Sequence, residues 1–405
     1  MKRILFVAPY CFPINGPEAI CNAKLLKELS RCGYIIDVIS KRSYVTSVPE
    51  SLDSSFSEKL NSLKIISVSN KINLRTIWEH FCVLLKTGYV YKGAHWAYYA
   101  INYAEKLLAE NHYDWILSRS PSSELVALYL SRKYSIKWIA NWNDPYPDEK
   151  YPFPYGKGAN AKLPRMIQSL LLAVAKEAYF HTFPCKRLRN YMLRYMTGID
   201  EKRTAIIPHI CIENLFTLLK RFDRQELLMV HSGNVSYPRN PRTFLKGVRL
   251  FLDKVTNAKL RIFFIGKQNA DFLSIIEEFR LKENVEIVKP LTYVENLKFV
   301  SRCDVAVLIE AACEEGIFLP TKVGDYMQCK KDIFAVSPLT GTLYDLYQDR
   351  AVKYFADCED AVAICCQIEK MYGYLEEYKN GNMGNSIYYE YTSDSVIHKY
   401  LQLLG

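Results

Sequence analysis

Short apolar runs that predict buried β-strands alternate along this chain with amphipathic segments that predict helices, and the series begins twice. The first series opens with a strand at 4–8, a helix at 19–32 and a strand at 35–40. The second opens with a strand at 227–232 and a helix at 242–255. This alternation predicts two doubly wound α/β domains, each built on a largely parallel sheet.

A chain of 405 residues is too long for one ordinary core, which agrees with two domains. We predict a first domain at 1–205, a second at 206–388, and a terminal helix within 389–405 that returns to the first domain. The remaining predicted strands are 64–68, 115–118, 137–141, 260–265, 285–288, 304–309 and 331–336, and the remaining predicted helices are 74–110 (one long helical region), 125–133, 271–281 and 295–301.

Composition and cysteine spacing narrow the class of protein. The chain is 49% hydrophobic and 24% charged, as a globular protein is. Its 12 cysteines are scattered without a CxxC pair, which argues against a zinc ribbon or a disulfide scaffold. The first apolar run is too short for a signal peptide, and no run is long enough to span a bilayer. We therefore expect a cytoplasmic protein.

Positive charge is concentrated in the first half of the chain. Residues 1–200 hold 27 Lys and Arg against 16 Asp and Glu, and residues 157–194 alone hold eight basic residues and one acid. Such a block attracts polyanions or an anionic membrane surface, although a solvated positive face has the same composition. No recognised nucleic-acid-binding motif accompanies the charge, so we expect no nucleic-acid partner.

Loops after strands are where parallel α/β domains place their ligands. Gly16 precedes the first helix, where backbone N–H groups are open to an anion, but the loop lacks the GxGxxG of a dinucleotide fold. Asn143 and Asp144 follow the strand at 137–141 and are suited either to orient a hydroxyl or to form a turn before Pro145. Arg239 follows the strand at 227–232 and matches phosphate oxygens, or lies on the surface.

The segment EEGIFLPTKVGDYM at 314–327 carries the fourth such loop. Thr321 is predicted to cap a helix in which Lys322 and Asp325 lie on one face. Two interpretations remain open at this point. The pair forms a local ion pair near the helix start, or Lys322 neutralises a diphosphate while Asp325 accepts hydrogen bonds from ribose hydroxyls.

With these loops in order, the chain resembles the bacterial glycosyltransferases of the α/β GT-B fold, specifically the retaining family-four type. The segments that carry the resemblance are PINGPEA, WNDPYPD, IIPHICIENLF, SGNVSYPRNP, FIGKQ and FLPTKVGDYMQCKKDIFAVSP. The last is similar to a Pro-Ser/Thr-Lys-x-x-Glu-Tyr variant of enzymes that build surface polysaccharides. The resemblance implies two facing Rossmann-like domains around a central cleft. It also implies transfer of a sugar from a UDP- or GDP-linked donor to a glycan or a lipid-linked glycan. This transfer would need neither a metal nor a cofactor.

Residue roles follow from the resemblance by position. Lys322 and Arg239 would bind the diphosphate, and Asp325 would bind the ribose. Asn143 or Asp144 would lie on the acceptor side. Gly16 would let the backbone come close to the phosphates or the acceptor. Three positions depart from the family: Ile317 stands where an acid is expected, so Glu314 or Glu315 would contact the donor sugar; Asp325 replaces a Glu; and Asn234 replaces a phosphate-binding Arg.

Two segments of the first half are candidates for an anionic membrane surface, 163–180 and 76–96, which would make the protein peripheral on the inner face of the plasma membrane. Each is equally explained by a helix packed on the core. Two alternative functions also stay open: a GT-B nucleotide-sugar 2-epimerase, and a non-catalytic protein that binds nucleotide sugars.

Overall fold

The computed structural model describes residues 2–11, 16–41, 60–68, 73–119, 122–381, 384 and 387–405. The chain divides into two compact units. The first unit comprises Met1–Tyr151, Gly156–Ile210 and Ser393–Gly405. The second comprises Pro152–Tyr155 and Cys211–Thr392.

The first unit is a doubly wound α/β unit. Its described strands form a seven-stranded parallel sheet in the order β3-β2-β1-β4-β5-β6-β7. The strands are β1 (Arg3–Val7), β2 (Ile35–Lys41), β3 (Ser62–Ile66), β4 (Trp115–Arg119), β5 (Lys137–Asn141), β6 (Phe180–Phe183) and β7 (Thr204–Ile206). The helices are α1 (Pro17–Arg31), α2 (Leu74–Thr87), α3 (Ala94–Glu110), α4 (Ser123–Tyr134), α5 (Arg165–Glu177) and α6 (Lys186–Leu193).

The C-terminal helix, α14 (Ser393–Leu404), belongs to this first unit. The carbonyl oxygen of Leu404 accepts hydrogen bonds from Lys2 Nζ at 2.9 Å and from Trp115 Nε1 at 3.0 Å. The Tyr400 hydroxyl accepts a hydrogen bond from Asn141 Nδ2 at 3.1 Å. These bonds attach the end of the chain to β1, β4 and β5.

The second unit repeats the architecture. Its described strands form a six-stranded parallel sheet in the order β10-β9-β8-β11-β12-β13. The strands are β8 (Leu227–Ser232), β9 (Leu260–Ile265), β10 (Val285–Val288), β11 (Val305–Ile309), β12 (Asp332–Ser337) and β13 (Tyr354–Asp357). The helices are α7 (Arg242–Lys254), α8 (Ala270–Glu278), α9 (Tyr293–Ser301), α10 (Lys322–Gln328), α11 (Thr342–Gln348), α12 (Ala361–Gly373) and α13 (Leu375–Lys379).

Apolar side chains of alternate strand positions form the core of the second unit, including Met229, Phe264, Val307 and Phe334. In both units β1 or β8 lies centrally, and the strand order reverses beside it. In such sheets the carboxyl ends of the strands at this reversal carry the ligand site. The loops at these reversals follow β1 and β4 in the first unit, and β8 and β11 in the second.

The observed elements match most of the predicted ones, and the predicted helical region at 74–110 is divided by a break. The region 74–110 is two helices, because α2 ends at Gly88 in a left-handed conformation with φ +80°. A second glycine, Gly93 (φ +84°), then precedes α3. Helical periodicity continues across this break, so the sequence pattern hid it. Within the described residues, no helix is long and apolar enough to cross a membrane.

Candidate functional site

His231, near the carboxyl end of β8, is a neutral side chain beside the ammonium of Lys322. Its side chain is buried, with 2% exposed. Nδ1 lies 3.0 Å from the carbonyl oxygen of Val307, which assigns the ring proton to Nδ1 and leaves the Nε2 lone pair for other contacts. Nε2 lies 3.5 Å from Lys322 Nζ. Burial lowers the pKa of His231 well below its ordinary value, and the charge of Lys322 lowers it further.

Lys322 is the first residue of α10 and has an unusually low pKa for a lysine. Desolvation of the ammonium lowers its pKa to about 8, the charge of Arg239 adds to this effect, and Glu310 and Asp325 oppose it. A lysine with such a pKa is held in place without a full counter-charge. The site therefore has a positive charge that an anion would stabilise.

Gly233 leaves room for this ammonium. It follows β8 with φ +106°, a backbone conformation that side chains disfavour, and a Cβ atom there would lie 2.9 Å from Lys322 Nζ. A similar close approach occurs at Gly266 (φ +130°), where a Cβ would lie 2.8 Å from Asn234 Oδ1. The two glycines let the loops after β8 and β9 come close to polar side chains.

Arg239, in the same unit, forms an ion pair with Glu310. Its Nε is 3.1 Å from Glu310 Oε2, and Glu310 directly follows β11. The Tyr155 hydroxyl donates to the same oxygen at 3.3 Å, and the Tyr155 ring faces the guanidinium at 5.8 Å. A phosphate ligand at Arg239 would thus compete with Glu310 for the guanidinium.

Tyrosines hold α10 and Asp325 in position. The Tyr293 hydroxyl donates to Asp325 Oδ1 at 2.6 Å. The Tyr326 hydroxyl accepts from the backbone N–H of Ser232 at 2.9 Å, which attaches α10 to the end of β8. Thr321 occupies the N-cap position, as predicted, but its side chain makes no capping hydrogen bond. Its backbone is already helical (φ −57°, ψ −28°), unlike the extended backbone of a capping residue.

The predicted donor-sugar contacts lie before α10. Glu314 is exposed and Glu315 is partly exposed. The next residue, Gly316, forms a parallel bridge with Gly341, and its N–H donates to the Thr340 carbonyl at 2.9 Å. A larger cavity of the second unit, about 1040 Å³, is lined by 213–218 and by Gln328 and Lys330 at the other end of α10 from Lys322. Its lining includes none of Lys322, Arg239 and Asp325.

The remaining predicted site residues lie in the first unit. Asn143 Oδ1 accepts from Arg119 Nη2 at 2.9 Å, and the exposed Asp144 lines a cavity of about 190 Å³ at the carboxyl ends of the strands. Gly16 has extended backbone (φ −178°), and a Cβ there would meet nothing within 4 Å. The described structure therefore gives no conformational reason for glycine at this position.

Comparison with solved structures places the chain in a known architecture. HepE of Anabaena, solved with UDP and glucose, has 10% sequence identity and a TM-score of 0.65, with 100% of this chain and 99% of that chain covered. Sucrose-phosphate synthase of Thermosynechococcus elongatus has 12% identity and a TM-score of 0.64, with 100% and 98% covered. The lipopolysaccharide outer core galactosyltransferase WaaB has 12% identity and a TM-score of 0.57, with 99% and 98% covered.

The chain has the α/β GT-B fold. This confirms the predicted fold class. No protein-family profile and no curated protein sequence matches the chain. At these identities the structural similarity establishes the GT-B fold alone, and activity has to be argued from the site.

Sequence reasoning missed four residues of this GT-B chain's second unit: His231, Glu310, Tyr155 and Tyr293. Two of them could have been found from the sequence pattern. Glu310 is a charged residue directly after the apolar run VAVLI, and His231 is a polar residue within the strand LLMVHS. No sequence pattern indicated Tyr155 and Tyr293, because they come from distant segments that only the fold brings to Glu310 and Asp325.

Proposed function

We propose that this protein is a retaining glycosyltransferase that transfers a sugar from a UDP- or GDP-linked donor to an acceptor hydroxyl. The observation that carries the proposal is the desolvated Lys322 ammonium beside neutral His231, at the carboxyl edge of the second sheet. Such a lysine is suited to a diphosphate. The GT-B fold and the UDP bound by the structural neighbour HepE support a nucleotide-sugar donor.

Donor binding is assigned to the second unit. Lys322 binds the diphosphate, and Arg239 joins it by exchanging its bond to Glu310 for a phosphate oxygen. Asp325, oriented by Tyr293, accepts hydrogen bonds from the ribose hydroxyls. Asn234 lies at the same strand ends, and Glu314 or Glu315 contacts the donor sugar.

The reaction then depends on leaving-group stabilisation. Lys322 and Arg239 stabilise the negative charge that develops on the diphosphate as the glycosidic bond breaks, which is often the largest catalytic effect. The acceptor hydroxyl attacks from the same face, and its proton goes to the departing phosphate or to Asp144. No protein nucleophile is assigned. Two cationic side chains supply the charge neutralisation, so we propose that transfer persists in EDTA.

A bacterial role in surface polysaccharide or lipopolysaccharide assembly requires access to a lipid-linked acceptor at the inner membrane face. Helix α2 supports this proposal, because one of its faces exposes five large apolar side chains: Leu74, Ile77, Trp78, Phe81 and Leu85. In α5 the apolar face is mostly buried, and only Met166 and Leu172 are exposed large apolar residues. Of the two predicted segments, α2 therefore suits an anionic membrane better.

Liposome flotation tests this membrane proposal. Trp78→Ser with Phe81→Ser should abolish flotation with vesicles that contain anionic lipid, whereas Met166→Ser with Leu172→Ser should not. Equal flotation of both double variants would contradict the assignment to α2.

A donor panel tests the proposed activity. The protein is incubated with UDP-glucose, UDP-galactose, UDP-N-acetylglucosamine and GDP-mannose, with and without a glycan acceptor, and the released nucleotide and the products are measured. We expect free nucleoside diphosphate and a retained anomeric configuration in the product, both lost in Lys322→Ala. Release of an altered nucleotide sugar without an acceptor would indicate the epimerase. Binding without turnover of any donor would indicate the non-catalytic protein.

A further inference from the structure

Glu124 is a buried acid in the first unit, and the proposed donor chemistry makes no use of it. It lies in the first turn of α4 with 1% of its surface exposed. Oε1 accepts a hydrogen bond from Ser123 Oγ at 3.3 Å. Oε2 is fully buried and has no hydrogen-bond partner among the residues that the structure describes.

Two more buried polar atoms in the same place lack partners within the described residues. They are Asn141 Oδ1 and the Tyr146 hydroxyl, in side chains 4% and 3% exposed. Asn141 Nδ2 donates to Thr182 Oγ1 at 2.7 Å and to the Tyr400 hydroxyl, which fixes the amide so that Oδ1 points elsewhere. Glu124, Asn141 and Tyr146 all line the same cavity. Native proteins leave few buried polar atoms unpaired, so three around one cavity indicate a ligand with several hydrogen-bonding groups.

The lining of this cavity defines the charge of that ligand. Its other acids are Glu18, Asp144 and Asp148, and the lining residues within the described part of the chain include no Lys or Arg. The surrounding half of the chain is strongly basic, so the acidic lining is local. Lys92 Nζ pairs with Asp148 Oδ2 at 3.1 Å and Arg119 with Asn143, but neither cation is part of the lining, so the lining acids disfavour phosphate, carboxylate and sulfate groups.

Burial also shifts Glu124 towards its neutral, protonated form. Burial raises its pKa to about 8; Glu18 on α1 adds to the rise, and the Ser123 hydroxyl and the backbone of α4 oppose it. The Tyr146 hydroxyl, which lines the cavity from the loop after β5, is also uncharged because burial raises its pKa. The protonated carboxyl can both donate and accept a hydrogen bond.

The size and the aromatic lining fit a carbohydrate. A volume of about 190 Å³ holds the equivalent of about six water molecules, which is comparable to one sugar ring. Tyr10, Trp142 and Tyr151 supply aromatic surface next to the carboxyl and amide groups. Aromatic surface together with such polar groups is suited to the apolar face and the hydroxyls of a pyranose.

We propose that this cavity is the subsite for an uncharged, hydroxyl-rich acceptor group, and that Glu124, in its lining, is a binding residue for that group. The inference rests on the proposed transferase function and adds the chemical class of the acceptor group: a neutral sugar and not an anionic one. Selectivity comes from the surrounding acids, and affinity from Glu124, Asn141 and Tyr146.

Saturation-transfer NMR with methyl glucoside, methyl glucuronide and UDP as probes tests the proposal on the full chain. The wild type should bind methyl glucoside and not methyl glucuronide. Glu124→Gln retains a neutral hydrogen-bonding group and should keep the glucoside, whereas Glu124→Leu should weaken its binding about tenfold, as one lost hydrogen bond to a buried group implies. UDP binding should be equal in all three proteins.

Several results would overturn the proposal: glucuronide bound as well as glucoside, no glycoside bound by the wild type, or an undiminished glucoside signal in Glu124→Leu. UDP is the internal control, because loss of UDP binding in the wild type would refute the donor site and leave the glycoside comparison intact. If Glu124→Leu fails to fold, Tyr146→Phe takes its place. That variant removes one unpartnered hydroxyl and should also weaken glucoside binding.

Discussion

Lys322 Nζ lies 3.5 Å from His231 Nε2, and a Cβ atom on Gly233 would lie only 2.9 Å from the same Nζ. A buried neutral imidazole gives the ammonium a lone pair instead of a counter-charge. This arrangement keeps Lys322 in place and leaves its charge for an anion.

Affinity for UDP should fall as the pH rises through about 8, because Lys322 has a pKa of about 8 and loses its charge above it. Near pH 7 affinity should change least, because the lysine is charged and the terminal phosphate, with a second pKa of about 6, is mostly ionised. Bound diphosphate raises the lysine pKa, so binding near pH 8 should take up protons. Calorimetry in buffers of different ionisation enthalpy measures both effects.

Matched variants give this prediction its control. Arg239→Gln removes a charge that lowers the pKa of Lys322, and Glu310→Gln removes one that raises it. Titration of Lys322 by NMR should therefore move to higher pH in the first variant and to lower pH in the second. Shifts in the opposite directions would contradict the electrostatic account.

Gly233→Ala should weaken UDP binding and destabilise the protein. A side chain at φ +106° is strained, and its Cβ would displace the Lys322 ammonium. The strain implies a loss of about 1 kcal/mol or more in the free energy of unfolding. Gly373→Ala is the control, because a Cβ there meets nothing within 4 Å. Urea unfolding and UDP titration of both variants measure the contrast, and an unaffected Gly233→Ala would refute it.

Asp325→Asn should reduce the preference for ribose hydroxyls. Asp325 is held by the Tyr293 hydroxyl at 2.6 Å, and a charged acceptor bonds a hydroxyl with about 1.5–3 kcal/mol. The wild type should therefore bind UDP about tenfold or more tightly than 2′,3′-dideoxy-UDP. In Asp325→Asn this ratio should shrink towards one. A ratio that is unchanged in the variant would exclude Asp325 as the ribose acid.

Arg221→Ala should be among the most destabilising changes in the second unit. Arg221 pairs with the buried Asp304 through two bonds of 2.7 Å, and Asp304 also accepts from the N–H of Leu228 at 2.8 Å. Leaving Asp304 buried without the arginine costs about 3–5 kcal/mol. Arg242→Ala breaks an exposed pair with Glu278 and should cost at most about 1 kcal/mol. Urea unfolding of the two variants gives the comparison, and similar losses would contradict it.

The sequence predicted the strands of this fold better than its irregular parts. Strands 137–141, 227–232, 260–265 and 285–288 match the observed bounds, because buried parallel strands are short apolar runs between polar loops. The break at Gly88 was missed, because a glycine within an amphipathic pattern does not reveal whether its backbone turns left-handed.

The candidate site was predictable only in part. Arg239 lies in the loop after β8, and Lys322 and Asp325 lie in the first turn of α10 after β11, where ligand chemistry is expected. Their partners were not predictable, because a contact such as Arg239–Glu310 joins residues far apart in the chain. The depressed pKa of Lys322 also depends on burial, and burial is a property of the folded unit.

The most direct test of the central claim is a calorimetric titration of the wild type and Lys322→Met with UDP and with uridine. Lys322 is assigned to the diphosphate, so the variant should bind UDP about 10- to 100-fold more weakly, as loss of a hydrogen bond to a charged group implies. Uridine, which lacks phosphate, should bind both proteins equally. Undiminished UDP affinity in Lys322→Met, or an equal loss for uridine, would contradict the assignment.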